Sequence, residues 1–220
     1  MAKISVAIPT HDMKNKEAFL RKSLDMLQEQ TFTDFEVIIS DNSEDDALSD
    51  VIQDYDLDIS YIKNPIKGMA QNTNEAMKNC TGEIIKILYL DDYLYNSDSL
   101  KSIVDNFEGH WLVTGCIHEN DGFIANPHFP TYNPVIYAGQ NTIGSPSVLA
   151  VRNDTKLLFD EELTWLLDVD LYKRYYDKYG EPKILNEIGV VIQQGKHQMT
   201  HIISNERKEQ EYEYTTKKFN

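Results

Sequence analysis

Residues 84–92 read IIKILYLDD, an almost uninterrupted apolar run that ends in two aspartates. Such a run is typical of a strand that is buried on both faces of a parallel sheet. Two similar runs come earlier, ISVAI at residues 4–8 and FEVIIS at residues 35–40, and helical spacing follows them, for example at residues 16–30. Strands that alternate with amphipathic helices predict an α/β fold, a mainly parallel central sheet flanked by helices.

The remaining elements follow from the same periodicities. Further strands are predicted at residues 59–62, 111–117 and 188–192, and further helices at residues 47–55, 70–79, 99–107 and 169–179. Residues 126–147 hold four of the seven prolines, which predicts irregular structure. Residues 205–220 are highly charged with few apolar side chains, so we expect an exposed helix or a partly ordered tail.

The composition excludes several classes of protein. Asp and Glu number 36 against 21 Lys and Arg, and the net charge of −15 predicts no nucleic-acid partner. No apolar stretch approaches 18 residues and no signal peptide is recognisable, so we expect no stable membrane insertion and a soluble, cytoplasmic location. Two cysteines exclude a disulfide framework and a multi-cysteine zinc site.

Polar side chains follow four of the predicted strands. Thr10 comes after the first strand, Asp41 after the second, Asn64 after the third, and Asp91 and Asp92 after the fourth. Ligands of open parallel sheets bind beyond the carboxyl ends of the strands, where these side chains would converge. Turns between strands and helices favour the same residue types for local hydrogen bonding, so the set indicates a site more strongly than any one member.

Asp91 and Asp92 give the sharpest local signal. Two like charges at 4 Å repel by roughly 4 kcal/mol at an effective dielectric constant of about 20, and a divalent cation would relieve that repulsion. The alternative is an aspartate turn in an acidic protein. The sequence contains no G-x-x-x-x-G-K-[ST], G-x-G-x-x-G, H-E-x-x-H or G-x-S-x-G motif, which disfavours P-loop, dinucleotide-binding, zinc-protease and hydrolase sites.

Four segments, in this order and spacing, resemble the GT-A fold glycosyltransferases of family 2, which transfer sugars from nucleotide donors with inversion. They are residues 4–12 (ISVAIPTHD), 35–46 (FEVIISDNSEDD), 64–92 (from NPIKGMAQN to YLDD) and 159–180 (FDEELTWLLDVDLYKRYYDKYG). By this resemblance, the residues that bind the nucleotide are Pro9, Thr10, Asp41, Asn64, Gly68, Asn72 and Asp91.

The resemblance also implies a metal cofactor, Mn²⁺ or Mg²⁺, held by Asp92, with His197 either completing the metal shell or contacting the diphosphate. A diphosphate carries about two negative charges and needs a bridging cation beside two aspartates. The family's usual D-x-D element would place an acidic residue at Tyr89 or Tyr93, so the motif here is the shorter D-D form. His197 lies in GKHQMT at residues 195–200, which resembles a loop that closes over the donor phosphates.

Inversion requires a base on the face of the sugar opposite the leaving group. In LLDVDLY at residues 166–172, the resemblance implies that Asp168 is this base, with Asp170 as second choice, and Leu167 stands where the family often has Glu. Trp165 is a candidate platform for a sugar ring. The alternatives are an ordinary helix-start aspartate that the helix dipole stabilises, and simple packing of Trp165.

The resemblance therefore implies an inverting, divalent-metal-dependent hexosyltransferase. Its partners would be a nucleotide-diphosphate sugar, most simply a UDP sugar, and a hydroxyl of a glycan or other acceptor. We expect one GT-A domain over residues 1–204, with a nucleotide-binding half at 1–92 and an acceptor-binding half at 93–204.

Two rival functions follow from the same residues. A non-catalytic nucleotide-sugar or glycan-binding module of the same fold is favoured by the short D-D element and by Leu167. A sugar-phosphate nucleotidyltransferase would need a Gly-rich, Arg-bearing loop after the first strand, which PTHD at residues 9–12 lacks.

Overall fold

Four parallel strands form one half of the sheet in the computed structural model, which describes residues 2–196 and 198–220. They are β1 (Ile4–Thr10), β2 (Phe35–Asp41), β3 (Ile59–Lys63) and β4 (Ile84–Ile87). They lie in the order β3-β2-β1-β4, and Ile4 of β1 pairs with Phe35 on one side and with Ile84 on the other. The strands predicted from the apolar runs are confirmed here.

The helices of the described chain cover this sheet and complete the fold. They are α1 (Lys16–Gln28), α2 (Ala47–Val51), α3 (Met69–Asn79), α4 (Ser99–Asn106), α5 (Leu167–Tyr179), α6 (Met199–Ile202) and α7 (Asn205–Phe219). In α1, the i, i+4, i+7 spacing of Leu20, Leu24 and Leu27 puts all three on one buried face. No helix in the described part of the chain combines the length and apolarity that crossing a bilayer requires.

The other half of the sheet is mixed. It consists of β5 (Tyr93–Leu94), β6 (Trp111–Asn120), β7 (Phe123–His128), β8 (Leu149–Arg152) and β9 (Lys183–Gln193). Strand β8 runs antiparallel between β4 and β6, and β9 runs parallel to β6 with β5 antiparallel at the edge. Strand β7 forms a hairpin with β6. The parallel and the mixed halves thus join through β8.

Three of these strands were not predicted from the sequence. Strand β5 has two residues, β8 has four, and β7 lies largely exposed, with Phe123 80% accessible, so none shows a clear periodicity. The fourth apolar run also ends its strand earlier than predicted, at Ile87 and not at residue 90. The Tyr89 amide instead donates to Ser147 Oγ (2.9 Å), and the chain turns so that Asp92 N donates to the Tyr89 carbonyl.

A lysine lies inside the sheet core. Lys86 of β4 is fully buried, and its ammonium group donates to the carbonyl oxygens of Ile87 (2.9 Å) and Ser147. Loss of hydration disfavours the charged form, so burial lowers the pKa of Lys86 to about 7. This single group therefore couples the stability of the sheet to pH.

We expect the free energy of unfolding of the wild type to rise with pH from 7 to 9 relative to that of Lys86→Met. In this range the unfolded lysine, with its ordinary pKa of 10.5, keeps a proton that the folded lysine has lost. Raising the pH therefore favours the folded state, by up to about 1.4 kcal/mol per pH unit. Urea unfolding at pH 7, 8 and 9 measures the slope, with Lys14→Met at an exposed position as control. Equal slopes for wild type and Lys86→Met would contradict this account.

Candidate active site

A cleft of about 810 Å³ lies beyond the carboxyl ends of β1 and β4. The strand order reverses between these two strands, because β2 and β3 lie on one side of β1 and β4 on the other. This is the place where open α/β sheets bind ligands. The structure brings together at the cleft the predicted residues Pro9, Gly68, Asn72, Asp91, Asp92, Trp165 and Asp168.

Asp41 lies behind the cleft wall and has no exposed surface. Its carboxylate accepts hydrogen bonds from Thr10 Oγ1 (2.8 Å), Ser43 N (2.8 Å) and the Tyr61 hydroxyl (2.6 Å). Burial alone would raise the pKa of Asp41, but these hydrogen bonds hold it at about 2. Asp41 is therefore ionised at neutral pH and ties the end of β2 to the ends of β1 and β3. Its predicted contact with the nucleotide base stays a prediction.

Asn72 of α3 connects the helix to the strand ends. Its Nδ2 donates to the carbonyl oxygens of Thr10 (2.8 Å) and Ser40 (2.9 Å), and its Oδ1 accepts from Ser40 Oγ (2.7 Å) and Asn64 Nδ2 (3.1 Å). All four of its hydrogen bonds thus go to the protein, and Asn64 lies in the same network. Asn72 fixes the shape of the wall, and Asn64 supports it from behind.

Gly68 precedes α3 with φ of 141°, a conformation that side-chain-bearing residues rarely adopt. A Cβ at this position would lie 2.8 Å from Gln71 Oε1. Because Gly68 and Met69 line the cleft, the N-terminus of α3 lies at its edge. Unpaired N–H groups and the helix dipole make such an end favourable for a phosphate. The exposed Lys67 beside it also lines the cleft and was not singled out from the sequence.

Asp92 lies at the bottom of the cleft and is 3% exposed. It accepts hydrogen bonds from Gln193 N (3.1 Å) and Ser145 Oγ (3.3 Å), so β9 and the segment before β8 both contact it. Within residues 2–196 and 198–220, no Lys or Arg forms a salt bridge with Asp92. Burial and the adjacent charge of Asp91 raise the pKa of Asp92 well above its ordinary value.

These two carboxylates fit a divalent cation. Their oxygens are the hard ligands that Mg²⁺ and Mn²⁺ prefer, and the buried Asp92 carboxylate forms no salt bridge with a Lys or Arg of the described residues. No cluster of three or more His, Cys, Asp and Glu side chains suited to a metal occurs among those residues. A cation held by Asp92 would therefore take further ligands from water and a diphosphate, as Mg²⁺ commonly does. The predicted ligand His197 lies outside the described residues.

Asp168 lies at the start of α5, lines the same cleft and is half-buried. Its carboxylate accepts hydrogen bonds from Asn141 Nδ2 (2.7 Å) and Val169 N (2.7 Å). Burial raises the pKa of Asp168 to about 7. The side chain is thus a proton acceptor that titrates near neutral pH and faces the same cleft as Asp91 and Asp92.

Asp170, the second choice for the base, lies away from the cleft. It is fully buried, and it accepts from Arg174 Nε (2.7 Å) and from Lys218 Nζ (2.6 Å). Its charge is therefore matched by two cations inside the fold. Trp165 lines the cleft and is half-buried, with Lys208 Nζ 5.5 Å from its ring centroid.

The residue that sequence reasoning missed most clearly is Asn141. It lies in the segment predicted to be irregular, and an asparagine in such a segment is unremarkable as sequence. Its Oδ1 accepts from Ile143 N (3.0 Å) and Gly144 N (2.9 Å), which fixes which end of the amide faces Asp168. Only the folded turn reveals this role. Lys67 had a visible signal, a basic residue directly before the glycine that starts a helix.

Curated proteins with similar sequences are glycosyltransferases. The GalNAc(5)-diNAcBac-PP-undecaprenol beta-1,3-glucosyltransferase of Campylobacter jejuni is 33% identical over 129 residues, covering 56% of this chain and 40% of that protein. The poly(ribitol-phosphate) beta-N-acetylglucosaminyltransferase TarS of Staphylococcus aureus is 29% identical over 116 residues, covering 50% and 20%. The chain thus spans less than half the length of these relatives.

Solved structures share the fold. S. aureus TarS 1–349 in complex with UDP-GlcNAc has a TM-score of 0.71 at 21% identity, covering 92% of this chain and 61% of that one. A mannosyltransferase of Pyrobaculum calidifontis in complex with GDP-Man and Mn²⁺ has a TM-score of 0.64 at 14% identity, covering 91% and 59%. The predicted α/β fold of the GT-A type is confirmed.

The sequence match to a known family covers most of the chain. Residues 5–163 match the family described as Glycosyl transferase family 2. The match begins in β1, includes Asp91 and Asp92, and ends shortly before α5. The chain therefore belongs to glycosyl transferase family 2.

Proposed function

We propose that this chain is an inverting hexosyltransferase that transfers a hexose from a UDP sugar to a hydroxyl of a glycan or other acceptor. One observation carries the proposal: Asp91 and Asp92 at the end of β4 and Asp168 at the start of α5 line the same cleft. The segment after β4 thus offers carboxylates suited to a cation and a nucleotide, and the start of α5 offers a base. The structural neighbour TarS, solved with UDP-GlcNAc, supports a UDP sugar as donor.

On the donor side, each residue has a distinct task. Pro9 and Asn72 wall the nucleotide site, Asp91 accepts hydrogen bonds from the ribose hydroxyls, and the N-terminus of α3 after Gly68 faces the phosphates. Asp92 would hold Mn²⁺ or Mg²⁺, and the bound cation would supply positive charge to neutralise the leaving diphosphate. The mannosyltransferase neighbour that was solved with Mn²⁺ supports a divalent cation in this fold. The supporting network of Thr10, Asp41 and Asn64 keeps this wall rigid.

On the acceptor side, Asp168 removes the proton from the attacking hydroxyl. The acceptor oxygen forms a bond to the anomeric carbon while the bond from that carbon to the diphosphate oxygen breaks. Because base and leaving group lie on opposite sides of the sugar, the anomeric configuration inverts. Asn141 orients the carboxylate, and the ring of Trp165 gives an apolar surface on which a sugar can stack.

The test measures UDP release from UDP-glucose, UDP-galactose and UDP-GlcNAc, with water or an added acceptor sugar as the recipient of the hexose, with Mn²⁺ and with EDTA, alongside calorimetric binding of UDP. We expect UDP to bind in the presence of Mn²⁺ and one donor to release UDP faster than the others. Proton NMR of the product should show the opposite anomeric configuration to the donor. UDP binding without any release would favour the non-catalytic binding module. If UDP does not bind and no donor releases UDP, the proposal is overturned.

Asn141→Ala should move the pH profile of kcat/KM to higher pH. The base must be ionised, so activity of the wild type should rise with pH and level off above about pH 7, where Asp168 is a carboxylate. The Asn141 amide stabilises that carboxylate. Removing it raises the pKa of Asp168, and the rising limb should shift upward by about one pH unit. Profiles from pH 5.5 to 9 test this, with the exposed neighbour variant Gln140→Ala as control. Superimposable profiles for all three proteins would contradict the role of Asn141.

A further inference from the structure

Helix α7 contains a buried carboxylate that binds the segment in front of α5. Glu211 is 2% exposed. Its Oε1 accepts from Thr164 N (2.9 Å), and its Oε2 accepts from Trp165 N (2.8 Å) and Leu166 N (3.0 Å). Three consecutive backbone N–H groups thus converge on one side chain, and Trp165 is itself one of the residues that line the cleft.

The physical chemistry of this contact explains why a buried glutamate is tolerated. The three N–H groups belong to the irregular segment that leads into α5, where no strand or helix provides them with a carbonyl partner. The charge of Glu211 is also paired with Arg207, whose Nε lies 2.9 Å from Oε1. Arg207 donates in turn to the Glu162 carbonyl oxygen (2.6 Å). Removing the carboxylate would leave three donors unsatisfied.

The same helix contacts two other segments that line the cleft, those of Asn141 and Thr200, and we call these two residues together with residues 164–168 the acceptor-side wall. Thr215 Oγ1 donates to the Tyr137 carbonyl (2.9 Å), shortly before Asn141, and Lys208 Nζ donates to the Thr200 carbonyl (2.8 Å). Asn141 and Thr200 both line the cleft. Helix α7 lies beyond residue 163, where the match to the family ends. The α7 residues that contact this wall therefore lie outside the part of the chain that matches the family.

We propose that Glu211 is a positioning residue of the acceptor-side wall: its carboxylate fixes residues 164–166 and thereby sets where Asp168 and Trp165 stand relative to the donor site. The inference rests on the proposed function. Glu211 acts through the backbone and does not line the cleft itself, so it should affect turnover and leave donor binding unchanged.

Glu211→Gln is the test variant, because it keeps the side-chain size but replaces one accepting oxygen by an amide that cannot accept. We expect kcat for UDP release to fall by about 10²-fold, the loss that a displacement of about 1 Å produces. The Kd of UDP, measured by calorimetry, should stay within about twofold of wild type, since the donor wall is untouched. Glu213→Gln, an exposed position on the same helix, is the matched control and should behave as wild type.

Hydrogen exchange gives a readout independent of activity. Peptides that cover residues 160–170 should exchange faster in Glu211→Gln than in Glu213→Gln, whereas peptides from residues 64–92 should not change. Wild-type kcat in Glu211→Gln, or faster exchange throughout the chain together with weaker UDP binding, would overturn the inference. If Glu211→Gln does not fold, the same measurements are made on Glu211→Asp, which keeps the charge but has a shorter side chain. Wild-type kcat in Glu211→Asp would again overturn the inference. A wild type that releases no UDP would instead count against the proposed function.

Discussion

Asp168→Asn is expected to lower kcat by about 10²- to 10⁴-fold, the usual contribution of a general base, while the affinity for UDP stays that of wild type. The amide has the size of the carboxylate but cannot take a proton at neutral pH. Burial already holds the pKa of Asp168 at about 7, so the wild-type group is matched to a proton transfer near that pH. Donor affinity is retained because the proposed donor contacts, Asp91 and Asp92, follow β4 and are not part of α5.

The measurement pairs UDP release with calorimetric UDP binding. Asp177→Asn is the matched control, since Asp177 lies on the same helix, is exposed and pairs with Lys173 at the surface. It undergoes the same loss of charge and should keep wild-type kcat. Wild-type kcat in Asp168→Asn would show that Asp168 is not the base. Loss of UDP affinity in parallel with turnover would show that the variant disturbs the cleft as a whole.

The donor half of the site was predictable because the ends of buried strands can be identified from the sequence. An apolar run of four to seven residues marks a buried strand, and the polar residue after it must lie at the edge of the sheet. Asp91 and Asp92 follow this rule. The exact end of β4 was not predictable, because the Tyr89 amide donates to the Ser147 side chain and not to a neighbouring strand.

The acceptor half was harder to predict, because its residues meet only through tertiary contacts. Asp168 and Asp170 are two positions apart on a helix and so point about 200° apart, but periodicity does not say which of them faces the cleft. Asn141 and Glu211 come from segments far apart in the chain, and each acts through a hydrogen bond that leaves no pattern in the sequence. The buried face of α7 was not predicted either, because its buried residues, Glu211 and Thr215, are polar and give no apolar pattern.

Asp92→Asn is expected to abolish the part of UDP binding that depends on Mn²⁺ and, in the absence of ligand, to leave the protein at least as stable as wild type. Burial and the adjacent charge of Asp91 raise the pKa of Asp92 well above its ordinary value, so the ligand-free fold disfavours the charged form of this carboxyl group. An asparagine carries no charge, can still accept from Gln193 N, and can donate to Ser145 Oγ. The substitution therefore relieves a repulsion in the ligand-free protein and removes the anionic oxygen that a cation requires.

Thermal unfolding with UDP, with and without Mn²⁺, separates these two effects. A ligand at 100 times its Kd stabilises the folded state by about 2.7 kcal/mol, and the wild type should show the Mn²⁺-dependent share of this gain. Asp92→Asn should lose that share, and its kcat should fall by about 10²- to 10³-fold, as when one charge-stabilising group is removed from an active site. Asp154→Asn, exposed and outside the cleft, should match the wild type in both respects. Mn²⁺-dependent stabilisation of Asp92→Asn equal to that of wild type would place the cation elsewhere. Asp92→Asn is thus expected to be inactive but, without ligand, no less stable than the wild type. This result is expected if the free energy of cation binding offsets the cost of a buried charge that folding alone disfavours.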